Sequence, residues 1–271
     1  MILKTLSILF AQAATVAAAP VGVPPTVEQD RLTVCLDHAR SDATSAIAYA
    51  SEWSGEANGA ERSLPAECLG VAYTRLLRWE ASEQALADAR VYAAQDDYAN
   101  RARLGAMAGN AALPAKRYAQ AVNYFSFARE DALRAGFPEM SGHIAVDQSR
   151  AYVGLGDMIN AGKALEDARR LAPQNVEGWL LSATLARYDG DLDQAGAYIA
   201  IAAALAPDNG QVGLEAGLIS MLAGKEDAAR KSWQSVLAVA PGTRAAQIAR
   251  EYLAQIGEDA SVPPTEEPAG R

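Results

Sequence analysis

The chain is short of the residues from which most active sites are assembled. It has 271 residues but only two histidines, His38 and His143, and two cysteines, Cys35 and Cys68. The histidines are far apart, and neither stands in H-x-x-x-H, H-E or C-x-x-C spacing. That argues against a metal centre and against a histidine-based triad. The sequence lacks a G-x-S-x-G elbow, a P-loop and a dinucleotide fingerprint. "GLGD" at Gly154 has no helix-opening glycine at the required distance and reads as a turn. Adjacent acids, Asp96 and Asp97 or Glu266 and Glu267, read as solvated helix ends and tail. These absences predict a protein that is not an enzyme and needs no cofactor and no metal. Positive charge is also scarce, with 24 Lys and Arg against 33 Asp and Glu, a net charge of −9. Tracking a phosphate backbone needs clustered Lys and Arg, so nucleic acid is excluded as a partner. Aromatics make up 7% of the chain while half of it is hydrophobic. The apolar share is carried by alanine, the strongest helix former, which lets helices approach closely.

The N-terminal segment stands apart. Residues 1–19, "MILKTLSILFAQAATVAAA", carry one early charge at Lys4, an apolar stretch and a small-residue end, the layout of a secretory signal peptide. Cleavage after Ala18 is expected, with Val16 and Ala18 as the small pair. The apolar part is shorter than the roughly 20 residues that span a bilayer, which disfavours an anchor. A buried apolar helix is the remaining alternative, though nothing polar gives the stretch a solvent face. An exported chain, without an integral span after cleavage, belongs in the periplasm or cell envelope of a bacterium. Residues 20–27, "PVGVPPTV", read as a Pro-rich linker. Residues 257–271, "GEDASVPPTEEPAGR", are acidic and Pro-rich and predict a disordered tail.

Between these ends helical periodicity prevails, and prolines punctuate it. "RRLAPQN", "AALAPDN" and "VLAVAPG" place Pro173, Pro207 and Pro241 at the ends of alanine-rich runs, 34 residues apart. A proline pushes its predecessor out of the α region and so marks a helix boundary. A period of 34 predicts repeated helix pairs. In each repeat the second helix carries a small residue and a large one four positions on: Ala161 and Leu165, Ala195 and Ile199, Ala229 and Trp233. Ala121 with Phe125, and Ala85 with Ala89, extend the series upstream. The interval from Ala121 to Ala161 is 40 residues rather than 34, and "LRAGFPEM" is expected to lengthen a helix and its loop there.

This pattern resembles the tetratricopeptide repeat (TPR) family, with its A-x3-F pair and closing proline on the second helix. The match is good in period and in the second helix and degenerate in the first, where Trp179 alone fills the large opening position well. The resemblance implies an all-α, right-handed solenoid of five to six stacked antiparallel helix pairs over residues 28–256. Residues 28–101 form degenerate repeats, 102–141 an irregular one and 142–241 the three best matches. Residues 242–256 form a capping helix. One helix pair cannot bury its apolar face alone, so the pairs stack and curve.

It also implies a non-catalytic scaffold or adaptor that binds a protein or extended peptide on the concave side. Carrying the family frame onto this chain places His143, Val146, Arg150 and Val153 there, then Glu177, Leu180, Thr184 and Arg187. Gln211, Leu214, Leu218 and Met221 follow, and upstream Arg103, Ala106 and Asn110. Arg103, Asn110, Arg150 and Arg187 suit an acidic or carboxylate feature of the partner, while Leu214, Leu218 and Met221 make the C-terminal end apolar. The alternative is that these arginines pair with acids such as Asp147 and Glu177 and only solvate the surface.

Cys35 and Cys68 lie 33 apart, about one repeat. They should sit side by side on first helices of neighbouring pairs and, in an exported protein, form a disulfide; two buried thiols are the alternative. Asp189, Asp191 and Asp193 have the opening spacing of a calcium loop, but Gln194 and Ala200 stand where Gly and Glu are needed. Gly190 ending one helix and Asp191 capping the next is the favoured reading. Two further functions stay open: self-association through apolar faces, and an enzyme or carbohydrate site the motifs do not reveal, for which Tyr188 is the one expected groove aromatic.

Overall fold

A computed structural model describes residues 26–259. Residues 1–19, read as a signal peptide, and most of the segments read as linker and tail lie outside the described residues. Six antiparallel helix pairs follow one another: α1 (Val27–Ser41) with α2 (Ala43–Glu56), α3 (Ser63–Arg75) with α4 (Trp79–Tyr92), and α5 (Tyr98–Ala112) with α6 (Tyr118–Arg134). Then come α7 (Pro138–Gly154) with α8 (Met158–Leu171), α9 (Val176–Tyr188) with α10 (Leu192–Leu205), and α11 (Gly210–Leu222) with α12 (Glu226–Val239); a single helix, α13 (Arg244–Asp259), ends the stack. Two boundaries differ from the sequence reading. Val27 already belongs to α1, because Thr26 and Gln29 form a capping box there. At the other end α13 continues three residues into the segment read as tail.

The repeated punctuation has a plain physical basis. α8, α10 and α12 stop at Leu171, Leu205 and Val239, two residues before Pro173, Pro207 and Pro241. Two residues after the first two prolines, Asn175 and Asn209 accept backbone N–H bonds of α9 and α11. Thr243, after Pro241, accepts likewise from Ala246 N. The same few residues therefore end one helix and cap the next. Turns inside the last three pairs also share one conformation, with positive φ at Gly156 (75°), Gly190 (81°) and Gly224 (72°). In the degenerate upstream pairs the equivalent places are held by Leu77 (56°) and Lys116 (58°), where a side chain is strained. Asp191 accepts from Gln194 N and caps α10, as the sequence led one to expect.

The core lies between the helices of each pair and between neighbouring pairs. Ala121, Phe125, Ala161, Leu165, Ala195, Ile199, Ala229 and Trp233 are all buried. Phe125 and Trp233 are received by the facing Gly109 and Gly217, where any Cβ would overlap their rings. The first helices of successive pairs touch directly, α5 with α7, α7 with α9 and α9 with α11. They therefore form the inner side of the curve. At the N-terminal end the two cysteines are bonded: Cys35 on α1 and Cys68 on α3 are both buried, with Cα atoms 6.1 Å apart.

Candidate functional site

The inner side presents one stripe from each first helix. On α7 the accessible stripe is His143, Asp147, Arg150 and Val153. Those steps of four, three and three keep side chains on one face of a helix. Val146, expected in this stripe, is 2% exposed and packs into the core with Ala145 and Ala168. A single position turns a helical side chain by about 100°, and Asp147 takes the outer place instead. On α5 the stripe is Arg103, Ala106, Met107 and Asn110; on α9 it is Glu177, Leu180, Thr184 and Arg187.

Each arginine of this face is already held by a carboxylate of its own chain. Arg103 grips both oxygens of Glu67 on α3, at 2.7 and 2.6 Å. Arg150 bonds Asp147 on its own helix and Glu177 on α9. Arg187 donates to Glu215 on α11, at 2.7 Å from Nε. Asn110 donates to Asp147 at 3.1 Å. The result is a polar ladder that joins α3, α5, α7, α9 and α11 side by side. These pairings are those of the alternative reading, in which nearby acids hold the arginines, and a ligand carboxylate would compete for them with Glu67, Asp147, Glu177 and Glu215. In the ladder Asp147 is the strained member. Burial pushes its carboxyl above the usual range, and repulsion from Glu177 adds to that; the Asn110 bond and the Arg150 charge oppose it.

The C-terminal end differs from the sequence reading too. Leu214 is 7% exposed and buried with Ala245, Ala246 and Ala249 of α13, and Leu218 and Met221, half-buried, pack against the same cluster. The capping helix thus takes up much of the apolar surface at this end.

What the inner side does offer is two cavities flanking α7. The larger, about 790 Å³, opens between α5 and the N-terminal half of α7. Met107, Phe137, Met140 and Ile144 give it apolar walls, and Asn110, Glu139, His143 and Asp147 add polar groups. It exists because the pair connection is irregular there. α6 and α7 run to 17 residues each, and Gly136 at φ 79° turns the chain so that Phe137, 51% exposed, stands at the cavity. The 40-residue interval signalled this lengthening, but nothing in the sequence singled out Met107, Phe137 or Met140. The smaller cavity, about 560 Å³, opens where the C-terminal halves of α7 and α9 meet α8. Val153, Met158, Leu165, Leu181 and Tyr188 line it, with Arg150 at its border. His143 reaches toward Asn175 (Nδ1 to Nδ2, 2.6 Å) and Glu139 (3.8 Å). Of the sequence-assigned residues, the structure thus gathers Arg103, Asn110, His143 and Arg150 around two adjoining cavities. Arg187 is left in the ladder, and Leu214, Leu218 and Met221 belong to the apolar cluster shared with α13.

No protein-family model and no curated protein matches the chain. Solved structures do. PilW, described as a widely conserved type IV pilus biogenesis factor, superposes with a TM-score of 0.66 at 16% identity, over 84% of this chain and 100% of its own. PilF of Pseudomonas aeruginosa gives 0.63 at 16% identity, over 84% and 97%. A thermophilic TPR protein of Thermus thermophilus gives 0.52 at 21% identity, over 71% and 97%. The fold of this chain is the TPR solenoid. Among the described residues no helix is long and apolar enough to cross a membrane.

Proposed function

We propose that the chain is a non-catalytic scaffold of the bacterial cell envelope that holds an extended segment of a partner protein across α7. The observation that carries this reading is the pair of open, apolar-walled cavities side by side on the inner face. A segment lying diagonally over α7 would place one side chain in each, with the backbone passing near Asn110, Asp147 and Arg150. Apolar walls supply affinity, and a few fixed polar groups supply orientation. The envelope placement draws support from the signal-like residues 1–19 and from the Cys35–Cys68 bond, since disulfides persist outside the cytoplasm.

The test is photo-crosslinking in living cells with a benzoyl-phenylalanine at the place of Met140, followed by mapping of the adducts. A single stretch of one partner protein is expected. Adducts only to a second copy of the chain would replace the reading by self-association, for which exposed Leu155, Met158 and Ile159 at the α7–α8 turn offer a surface. No adduct at all would overturn it. Mass spectrometry of the native protein should find a start near Ala19; an intact Met1 chain in the cytoplasm would overturn the envelope placement.

A further inference from the structure

Resting on that reading, we infer that the segment held over α7 is basic, with a Lys or Arg for the larger cavity and an apolar residue four or six positions away for the smaller. The charges on this part of the face decide the sign. Glu67, Glu139, Asp147 and Glu177 supply four carboxylates, and Arg103 and Arg150 two guanidiniums. Arg103 is fully engaged by Glu67, and Arg150 is shared between Asp147 and Glu177. Among the described residues the one ion-pair partner of the Glu139 carboxylate is His143, at 3.8 Å, and the Glu139 side chain is 71% exposed. An acidic ligand would meet uncompensated negative charge at the larger cavity, and a cation would meet its complement.

The shape agrees with the charge. Lys and Arg bury an aliphatic stem while keeping the charged head near polar groups. Met107, Met140 and Ile144 suit the stem, the exposed Phe137 ring can face the cation, and Glu139 and Asp147 complete its surroundings. The smaller cavity has Val153, Met158, Leu165 and Tyr188 and suits a Leu or aromatic side chain.

The spacing follows from helix geometry. The cavities centre about eight residues apart along α7, or about 12 Å. They lie on opposite sides of that helix, about 10 Å apart laterally. The diagonal is about 16 Å, between the spans of four and six extended residues at about 3.3 Å each, and these even spacings keep both side chains on the face toward the groove.

The experiment uses the full mature chain and labelled dodecapeptides with capped ends in a Gly/Ser background. One set carries Lys or Arg separated by two to seven residues from Leu or Tyr; a second carries Glu in place of the cation; a third keeps only the Leu or Tyr. Fluorescence anisotropy at low and high salt reads the affinity. The basic peptides with a spacing of four or six are expected to bind at least about tenfold more tightly than the matching Glu peptides. Glu139→Lys, at an exposed position, is expected to remove that advantage and its salt dependence, and Asp147→Asn to reduce it. Glu peptides that bind as tightly as Lys peptides overturn the inference, as does an unchanged preference in Glu139→Lys. If the apolar peptides still bind in those cases, the groove reading stands alone. Binding of no peptide from any set overturns both.

Discussion

Gly217→Ala puts the interlocking of the helices to a quantitative test. A Cβ at this position would stand 2.0 Å from Nε1 and 2.4 Å from Cδ1 of Trp233. The indole has nowhere convenient to go. It is 2% exposed, it donates to Leu214 O at 3.2 Å, and its ring lies 5.0 Å from that of Tyr252 on α13. Ordinary carbon contacts need about 3.5–4.0 Å, so the ring must retreat by about 1.5 Å and lose its bond. Overpacking costs about 1–3 kcal/mol and an orphaned buried donor about 1–3 kcal/mol more. Alanine returns about 1 kcal/mol of helix propensity. The net expectation is a loss of about 3 kcal/mol. Gly196 on α10 is the control, because nothing lies within 4 Å of its Cβ position. There the same exchange should gain up to about 1 kcal/mol. For a domain of this size each kcal/mol moves Tm by about 2–4 °C. Calorimetry should therefore separate the two variants in opposite directions. Hydrogen exchange should place the loss on α11, α12 and α13, since a stacked array opens locally. A Gly217→Ala protein as stable as its parent would refute the claim that this glycine is a socket for the indole.

Other expectations follow from the same structure. Replacing Cys35 and Cys68 together by Ser should cost up to about 3.7 kcal/mol in the chain-entropy model and speed hydrogen exchange in α1 and α2, leaving α7–α12 unchanged; uniform acceleration would contradict that locality. Lys116→Gly relieves a left-handed residue and should stabilise by about 1 kcal/mol, read from urea denaturation, whereas Lys116→Ala should not. The raised carboxyl of Asp147 favours the folded state when protonated, a contribution present below the unfolded carboxylate range and lost as pH rises through the folded pKa. Asp147→Asn should therefore leave Tm at pH 7 undiminished and flatten its pH dependence above pH 4; a clear drop at pH 7 would show the Arg150 pair to be the dominant effect.

The architecture was legible because its signals are local. A proline stop, an asparagine cap and a glycine turn act within a few residues, and their recurrence at 34 gives the repeat directly. The second helices were legible too, since they carry the large side chains. The first helices were less so, because they carry the sockets: Gly109 and Gly217 are small for reasons that lie on Phe125 and Trp233. Side-chain exposure was harder still. Val146 and Asp147 differ by one position, and that rotation decides which faces the core. Leu214 reads as surface until α13 is laid over it. The arginines were assigned to the correct face, but their partners Glu67 and Glu215 come from neighbouring repeats, and no spacing rule within one repeat reveals them. The cavity at Phe137 arises from a departure from the period, which a sequence marks without describing.

The Cys35–Cys68 bond also sets how the chain carries tension. A pull applied at the N-terminus passes through the sulfurs from α1 into α3 and bypasses the 33-residue separation between them. About 115 Å of contour, at about 3.5 Å per residue, is thereby withheld from extension. The rest of α1, all of α2 and the start of α3 bear none of the load. Under tension the outermost pair cannot be drawn out to its full length, while the opposite end is held by the noncovalent packing of α13 alone.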